Sequence, residues 1–224
     1  MKKVMVFAAH PDDDILGCGG SIAKHLRNDG CCLRIVYMTS GDAGSMKYSR
    51  DEIMKIREEE AVKGAAALGA VDTMFLRNPD GRLVYDDKVM FHVASLIREY
   101  RPNIVYTHHS VDNHTDHLAT NAITTQAAFR AREPFSQGIS GDPWAVNLLL
   151  AYEIGRPMED PSYIEDITDV ADLKFKALTE HKSQMGAMGY DEAIKGLNRH
   201  RGVFTGTGKY AEAFKIIIAR DLFQ

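Results

Sequence analysis

The sequence predicts a Rossmann-like α/β fold: a mostly parallel sheet with helices on both faces, formed by a single domain spanning residues 1–224. Three observations carry this expectation. Short apolar runs alternate with segments striped at helical spacing, as consecutive strand–helix units require. No internal repeat or low-complexity linker divides the chain. Finally, histidine- and aspartate-rich segments directly follow the first and fourth apolar runs, and in such sheets ligands bind beyond the carboxyl ends of the strands.

Each element has its own signal. Val4–Ala9 reads as a buried strand, followed by a helix over Leu16–Asp29 that Gly30 would stop. Leu33–Thr39 is the second strand. Ser49 and Glu52 form a capping-box signature, after which Met54, Ala61, Ala65 and Leu68 share a helical face that ends at Gly69. Val71–Leu76 is a short strand. Val89, Val93, Leu96, Ile97 and Tyr100 stripe the next helix, and Pro102 follows it. Ile104–Thr107 is the fourth strand, with a helix from about Asp116 to Ala131. Asn147–Glu153 is a fifth strand, Asp169–Met188 is helical, and Glu212–Ala219 closes with a strand. Glu133–Pro143, rich in glycine and proline, is expected to be a flexible insertion.

Composition removes several function classes. With 224 residues and 45% hydrophobic content, the chain can bury a sizeable core. A formal charge of −4 without Lys/Arg runs leaves no footprint for nucleic acid. The N-terminal apolar run breaks at His10, too short for a signal peptide or a membrane span. Cys18, Cys31 and Cys32 are few and partly adjacent, which suits a reducing compartment, and a cytoplasmic location is expected.

The chemistry concentrates in two segments. The first is His10-Pro11-Asp12-Asp13-Asp14; the second runs from His108 to His117 as HHSVDNHTDH. Adjacent carboxylates repel one another and resist desolvation unless a cation compensates them. His114 and His117 share a face in a helical turn, as do His10 and Asp13 around theirs. Two imidazoles and one carboxylate leave positions open for water, the pattern of a catalytic zinc. Any single aspartate here can also serve as a helix cap, and His108 and His109 can be ordinary strand-end residues. Gly17, Gly19 and Gly20 do not make a dinucleotide loop, because carboxylates occupy the turn where its first glycine belongs. Close packing of the first helix on the sheet accounts for them.

AHPDDDILGCGGS together with HTDH resembles the LmbE-like (PIG-L) family of zinc-dependent N-acetylglucosamine deacetylases. TSGDAG (39–44), REEEA (57–61), NPDG (78–81), HKSQ (181–184) and YAEAF (210–214) resemble further blocks of that family, so the likeness runs over nearly the whole chain. Asp14 stands where the family usually has Glu, and Ser110–Asn113 lacks its proline-rich approach.

The resemblance implies that His10, Asp13 and His117 bind Zn²⁺, or Fe²⁺ or another divalent ion. It makes Asp12 the general base, and His114, as a protonated imidazole, the group that meets the oxyanion or the leaving amine. Asp116 orients His114 or merely caps the helix. Arg57 and Asp80 contact sugar hydroxyls, although Arg57 also fits a solvated helix face and Asp80 a simple turn. The products would be acetate and a free amino sugar; hydrolysis of a different N-acylated small molecule is the alternative. Assembly into a homo-oligomer, a trimer or hexamer, is expected, with the strand Phe214–Ala219 serving an interface or the core.

His181 lies on an apolar face as a core histidine or a site residue, and Trp144 stacks on sugar or packs. A two-histidine, one-carboxylate set also describes non-haem iron oxygenases, but their usual β-sandwich barrels do not match the alternating pattern. A metal-dependent sugar-binding protein without catalysis would need neither Asp12 nor His114.

Overall fold

The computed structural model describes residues 1–28, 30–70 and 72–220. Asp29 and Val71, the expected ends of the first helix and third strand, lie outside them. The sheet has the order β3-β2-β1-β4-β5-β7-β6, where β1 is Lys3–Ala8, β2 Cys32–Thr39, β3 Asp72–Asn78, β4 Ile104–His108, β5 Leu148–Tyr152, β6 Tyr163–Asp166 and β7 Ala211–Ala219. The first five strands run parallel, while β7 pairs antiparallel with both β5 and β6. The expected mostly parallel sheet is present, and β7 makes it mixed. No helix among the described residues is long and apolar enough to cross a membrane.

β1 is buried on both faces, which is why it reads as a continuous apolar run rather than an alternating one. Val4, Val6 and Ala8 point to one side and join Ile15 and Ile22 of α1 (Asp13–Asn28), Ala61 and Ala65 of α2 (Arg50–Leu68) and Ala177 of α5 (Ala171–Leu178). Met5 and Phe7 point to the other side and pack with Val93 and Ile97 of α3 (Asp87–Tyr100) and Ile123 and Ala127 of α4 (Thr115–Ala131). Helices therefore cover both faces. Between β1 and β4 the connections diverge, α1 leading outward to β2 and α4 to β5. That divergence is the topological switch point, where open α/β sheets place ligands.

The glycines of α1 do what packing required of them. A Cβ on Gly17 would lie 2.1 Å from the Tyr152 ring, and one on Gly20 would lie 2.6 Å from Ile167. The helix breaks its regular geometry at Cys18 (φ −140°, ψ 21°). Beyond the break, Gly20 and Ser21 donate their backbone N–H groups to the Glu212 carboxylate, at 2.8 Å each. A residue of β7 thus caps the second half of α1.

The capping box at Ser49 and Glu52 is formed, and Gly69 ends α2 in the left-handed conformation (φ 95°). The buried face of α2 is not quite the apolar stripe expected: Ile53, Arg57, Glu60, Ala61 and Gly64 lie on it, while Met54 is only half-buried.

The single helix expected over Asp169–Met188 is instead a 3-10 turn (Thr168–Val170), α5 and α6 (Lys182–Met188). The apolar stripe lapses at Thr179 and Glu180, where a turn brings His181 into the interior. Two elements went unanticipated. The edge strand β6 has only four residues, and Gly196 and Gly202 dilute the stripe of α7 (Tyr190–Thr205).

The Glu133–Pro143 loop is anchored rather than free. The Arg98 guanidinium, buried beneath it, donates to the carbonyls of Ala131, Glu133, Ile139 and Gly141. The expected C-terminal strand lies inside the sheet with Phe214 and Ile218 buried, so it belongs to the core.

Candidate active site

The site lies where β1 and β4 end. Leaving β1, the chain passes through His10 and Pro11 to Asp12, whose φ of 154° is a backbone conformation that glycine favours. This turn points Asp12 and Asp13 to the same side, and Asp13 starts α1. From β4, the loop through Asp112 delivers His114 as the cap of α4: His114 Nδ1 accepts the Asp116 backbone N–H at 3.2 Å. His117 follows within the first turn.

The two segments interlock as their spacing suggested. His10 Nδ1 lies 3.1 Å from Asp13 Oδ2, and His117 Nε2 lies 3.4 Å from Asp13 Oδ1. Donors around a tetrahedral zinc at its usual bond lengths sit about 3.3 Å apart, so both pairs have suitable spacing. Among the described residues, ligand-type atoms within 4.8 Å of one another form three overlapping triplets: His10–His114–His117, Asp13–His108–His117 and His10–Asp80–Asp116. The expected set of His10, Asp13 and His117 is joined through Asp13 but is not itself one of these triplets. His108 enters the cluster, 3.3 Å from Asp13 Oδ2 and stacked on His117 with ring centroids 4.0 Å apart. His109 does not; its ring faces the Val111 carbonyl.

The electrostatics explain how so many carboxylates tolerate burial. Burial resists ionisation of Asp13, yet His117, His108 and His10 hold its carboxyl well below the usual range. Burial also opposes charge on His10, but Asp13, Asp116 and Asp80 outweigh it and raise its pKa well above the ordinary value. His117 follows the same pattern: against burial, Asp13 and Asp112 lift it to about 9. Protonated imidazoles thus compensate the carboxylates wherever a metal cation does not. This excess of negative charge, with donors at coordination spacing, fits a divalent cation.

Asp12 behaves differently. Burial pushes its carboxyl up to about 6, and the Arg57 guanidinium restrains the rise. Arg57 is buried and donates from Nη2 to Asp12 Oδ1 at 3.1 Å. It lines the cavity, but its guanidinium holds Asp12, a contact that spacing on α2 alone did not reveal.

Asp80 accepts the Ala43 N–H at 2.7 Å and lies 3.2 Å from His10 Nε2. Burial acts against its ionisation, and His10 overrides it, setting the carboxyl at about 2. Of the two roles open to Asp116, orienting His114 is not the one seen: its carboxylate does not touch that ring. It accepts from the backbones of Gly81 and Leu83 and faces His10 Nε2 at 3.3 Å.

The protonated imidazole expected at His114 is also corrected. Burial and the neighbouring His10 and His117 lower its pKa, and its Nδ1 is occupied as an acceptor. The ring is therefore neutral, with its proton on Nε2.

Asp112 was the residue sequence reasoning overlooked. Its Oδ1 lies 3.0 Å from His117 Nδ1 and also accepts the His114 N–H, while Oδ2 accepts from Gly155. A carboxylate behind a metal-binding imidazole fixes its orientation. The only signal was its position two residues before His114, inside a segment already rich in candidates. Asp14 is fully buried behind the site, where burial pushes its carboxyl up to about 7.

His10, Asp12, Asp13, Arg57, Asp80, Asp112, His114 and His117 line a cavity of about 490 Å³ that also includes Leu16, Gly44, Ile154, Gln184 and Tyr190. Trp144 is not there: its Nε1 donates to the Pro102 carbonyl, and the ring packs beside Arg101. His181 is buried beneath α2, and a Cβ on Gly64 would lie 2.6 Å from its Nε2. It is a core histidine, and burial lowers it to about 4.

Fold and site together define a Rossmann-like α/β protein with a histidine–carboxylate cluster at its switch point. Residues 5–128 match the profile of PIG-L, GlcNAc-PI de-N-acetylase. The diacetylchitobiose deacetylase of Thermococcus kodakarensis is 31% identical over 193 residues, covering 82% of this chain and 70% of that protein. The solved N,N'-diacetylchitobiose deacetylase of Pyrococcus horikoshii superposes with a TM-score of 0.87 at 27% identity, over 96% of this chain and 84% of that one. The chain belongs to the PIG-L (LmbE-like) family. GalB, the 4-carboxy-2-hydroxymuconate hydratase of Pseudomonas putida, reaches a TM-score of 0.88 at 24% identity, covering 100% and 99% of the two chains. That likeness concerns the fold alone, and it shows that the fold does not dictate the reaction.

Proposed function

We propose that this protein is a metal-dependent hydrolase that removes the N-acetyl group from an N-acetylglucosamine-type sugar conjugate, releasing acetate and a free amino sugar. One observation carries the reading. Asp12, a buried carboxylate with its pKa near 6, shares a cavity with the histidine–aspartate donors and with the neutral His114.

In this reading His10, Asp13 and His117 hold the ion, Asp112 orients His117, and Asp116 and Asp80 back His10. Zinc is the ion we assign, with ferrous iron the alternative for the same donors. When bound, such a cation supplies Lewis acidity, lowering the pKa of a water and polarising the amide carbonyl. Asp12 takes the proton of the attacking water, and its pKa near neutrality suits a base. Arg57 keeps that carboxylate ionised and aimed. His114 donates from Nε2 to the oxyanion that develops on the amide carbonyl. Asp12, once protonated, passes its proton to the departing amine. We further take the chain to act as one domain, in the cytoplasm and as a homo-oligomer, for which a solution mass above the 24.9 kDa of one chain is expected.

Acetate release from N-acetylglucosamine glycosides, measured with and without a chelator, tests the reading. Chelator-sensitive release supports it. Release from other N-acylated small molecules but from no sugar would replace the substrate class, and release insensitive to chelation would overturn the mechanism.

A further inference from the structure

His108 closes β4 with its ring fully buried, and one backbone group decides its place in the cluster. The N–H of Ala9, the residue between β1 and His10, donates to His108 Nε2 at 3.0 Å. An amide N–H can only donate, and buried ones are almost always paired, so the Nε2 lone pair takes this hydrogen bond. Among the described residues Nδ1 has no partner in either tautomer, so it does not compete with that assignment. An imidazole binds a metal ion only through such a lone pair. The triplet of Asp13, His108 and His117 therefore has the spacing of a ligand set without a free lone pair at His108. Asp13 agrees with this. Its Oδ2, the oxygen nearest His108, already accepts the His10 backbone N–H at 2.7 Å, whereas Oδ1 faces His117.

We propose that His108 is a positioning residue and not a metal ligand: a peg between β1 and β4 that holds His10 and Asp13 at the right distance from His117. The inference rests on the reading of those three residues as the ligands of a divalent ion. The β1–β4 ladder ends at Val6 and Tyr106, short of the turns that carry the ligands. Beyond it, the Ala9–His108 bond ties the two strand ends together across 99 positions. The peg is itself fixed. Asn121 Nδ2 donates to the His108 carbonyl at 2.7 Å, and Tyr152, which packs against the ring at 4.7 Å, donates its hydroxyl to the Phe7 carbonyl of β1. The His108 ring stacks on His117 at 4.0 Å while Asp112 meets His117 Nδ1, so the imidazole that would hold the ion is set from its face and from its edge.

The variants His108→Gln and His108→Leu separate the two roles. Gln carries an amide oxygen that can accept from Ala9 in place of Nε2; Leu keeps bulk and loses the acceptor. Co²⁺ affinity is measured by chelator competition, the paramagnetically shifted imidazole N–H signals are recorded on the cobalt-loaded protein, and amide hydrogen exchange of Ala9 is followed without metal. The wild type should show shifted N–H signals from His10 and His117 and none from His108, with Ala9 protected. H108L should open Ala9 to exchange and weaken Co²⁺ binding about 10–100-fold, the usual cost of losing a group that orients a ligand. H108Q should keep the protection and recover most of the affinity. A shifted signal that disappears in H108Q makes His108 a ligand, and Co²⁺ affinity unmoved in H108L leaves it without a positioning role; either overturns the proposal. Should H108L fail to fold, H108Q decides alone: retained affinity with the same shifted signals supports the peg, and a lost signal overturns it. A wild type that takes up no Co²⁺ rejects the metal reading instead; the peg then stands if Ala9 protection falls in H108L and holds in H108Q, and fails otherwise.

Discussion

Two clusters of buried charge flank the break in α1, and they differ in kind. Beyond Cys18, Lys174 and Glu212 are both fully buried, and their partners are complete: Lys174 Nζ donates to Glu212 and to the Leu16 carbonyl, and Glu212 also accepts from Gly20 and Ser21. One cation meets one anion, and the hydrogen bonds close around them. Before Cys18, Asp12, Asp13, Asp80 and Asp116 face a single guanidinium and a group of imidazoles. Asp14, behind them, lacks a well-formed hydrogen bond, even to the Tyr37 hydroxyl beside it. Burial is the same in both places. What separates a structural pair from a site is therefore imbalance: the second cluster balances only by taking up protons or a metal cation.

Separating the neighbouring aspartates tests that contrast most strongly. Asp13→Ala should lose metal and activity together. Asp12→Asn should keep its metal, because the ligands remain, while turnover falls by roughly 10²–10⁴-fold, the usual worth of a positioned base. Metal content and acetate release measured on both variants check this. If Asp12→Asn loses the metal and Asp13→Ala keeps it, base and ligand have been exchanged.

The balanced cluster should respond in stability alone. Lys174→Met leaves Glu212 buried without its cation and should destabilise the fold by about 3–5 kcal/mol in denaturant unfolding. Adding Glu212→Gln should recover part of that loss. Folded Lys174→Met protein that no longer binds metal would break the distinction between the clusters.

The smallest effect is a matter of pH. In the metal-free protein His117 titrates near 9 against about 6.5 when unfolded. Its raised pKa stabilises the metal-free fold fully below about pH 6.5, and that contribution, about 3 kcal/mol, fades as pH rises toward 9. An incoming metal must displace this proton and the one on His10, so apparent metal affinity should climb between pH 6.5 and 9. Calorimetry in buffers of different ionisation enthalpy should register the released protons. Binding at pH 7 without proton release would show that the imidazoles are not what balances the carboxylates.

Much of this molecule is written in short windows of sequence. The apolar run of β1, the capping box at Ser49 and the i, i+3 pairs His10/Asp13 and His114/His117 depend on residues within one turn or one strand, where local geometry settles the outcome. Strand–helix alternation then placed both polar segments at one switch point, so their meeting there could be read without coordinates. Residue roles that depend on distant partners could not. Arg57 meets Asp12 across 45 positions, and Asp116 meets His10 across 106. Glu212 reaches back 192 residues to cap Gly20. The neutral state of His114 follows from its Nδ1 acting as a cap and from two imidazoles packed beside it. Periodicity says which face of a helix is buried; only the packing of that face says which buried charge stands opposite it, and in a low-dielectric interior the opposing charge decides protonation and role.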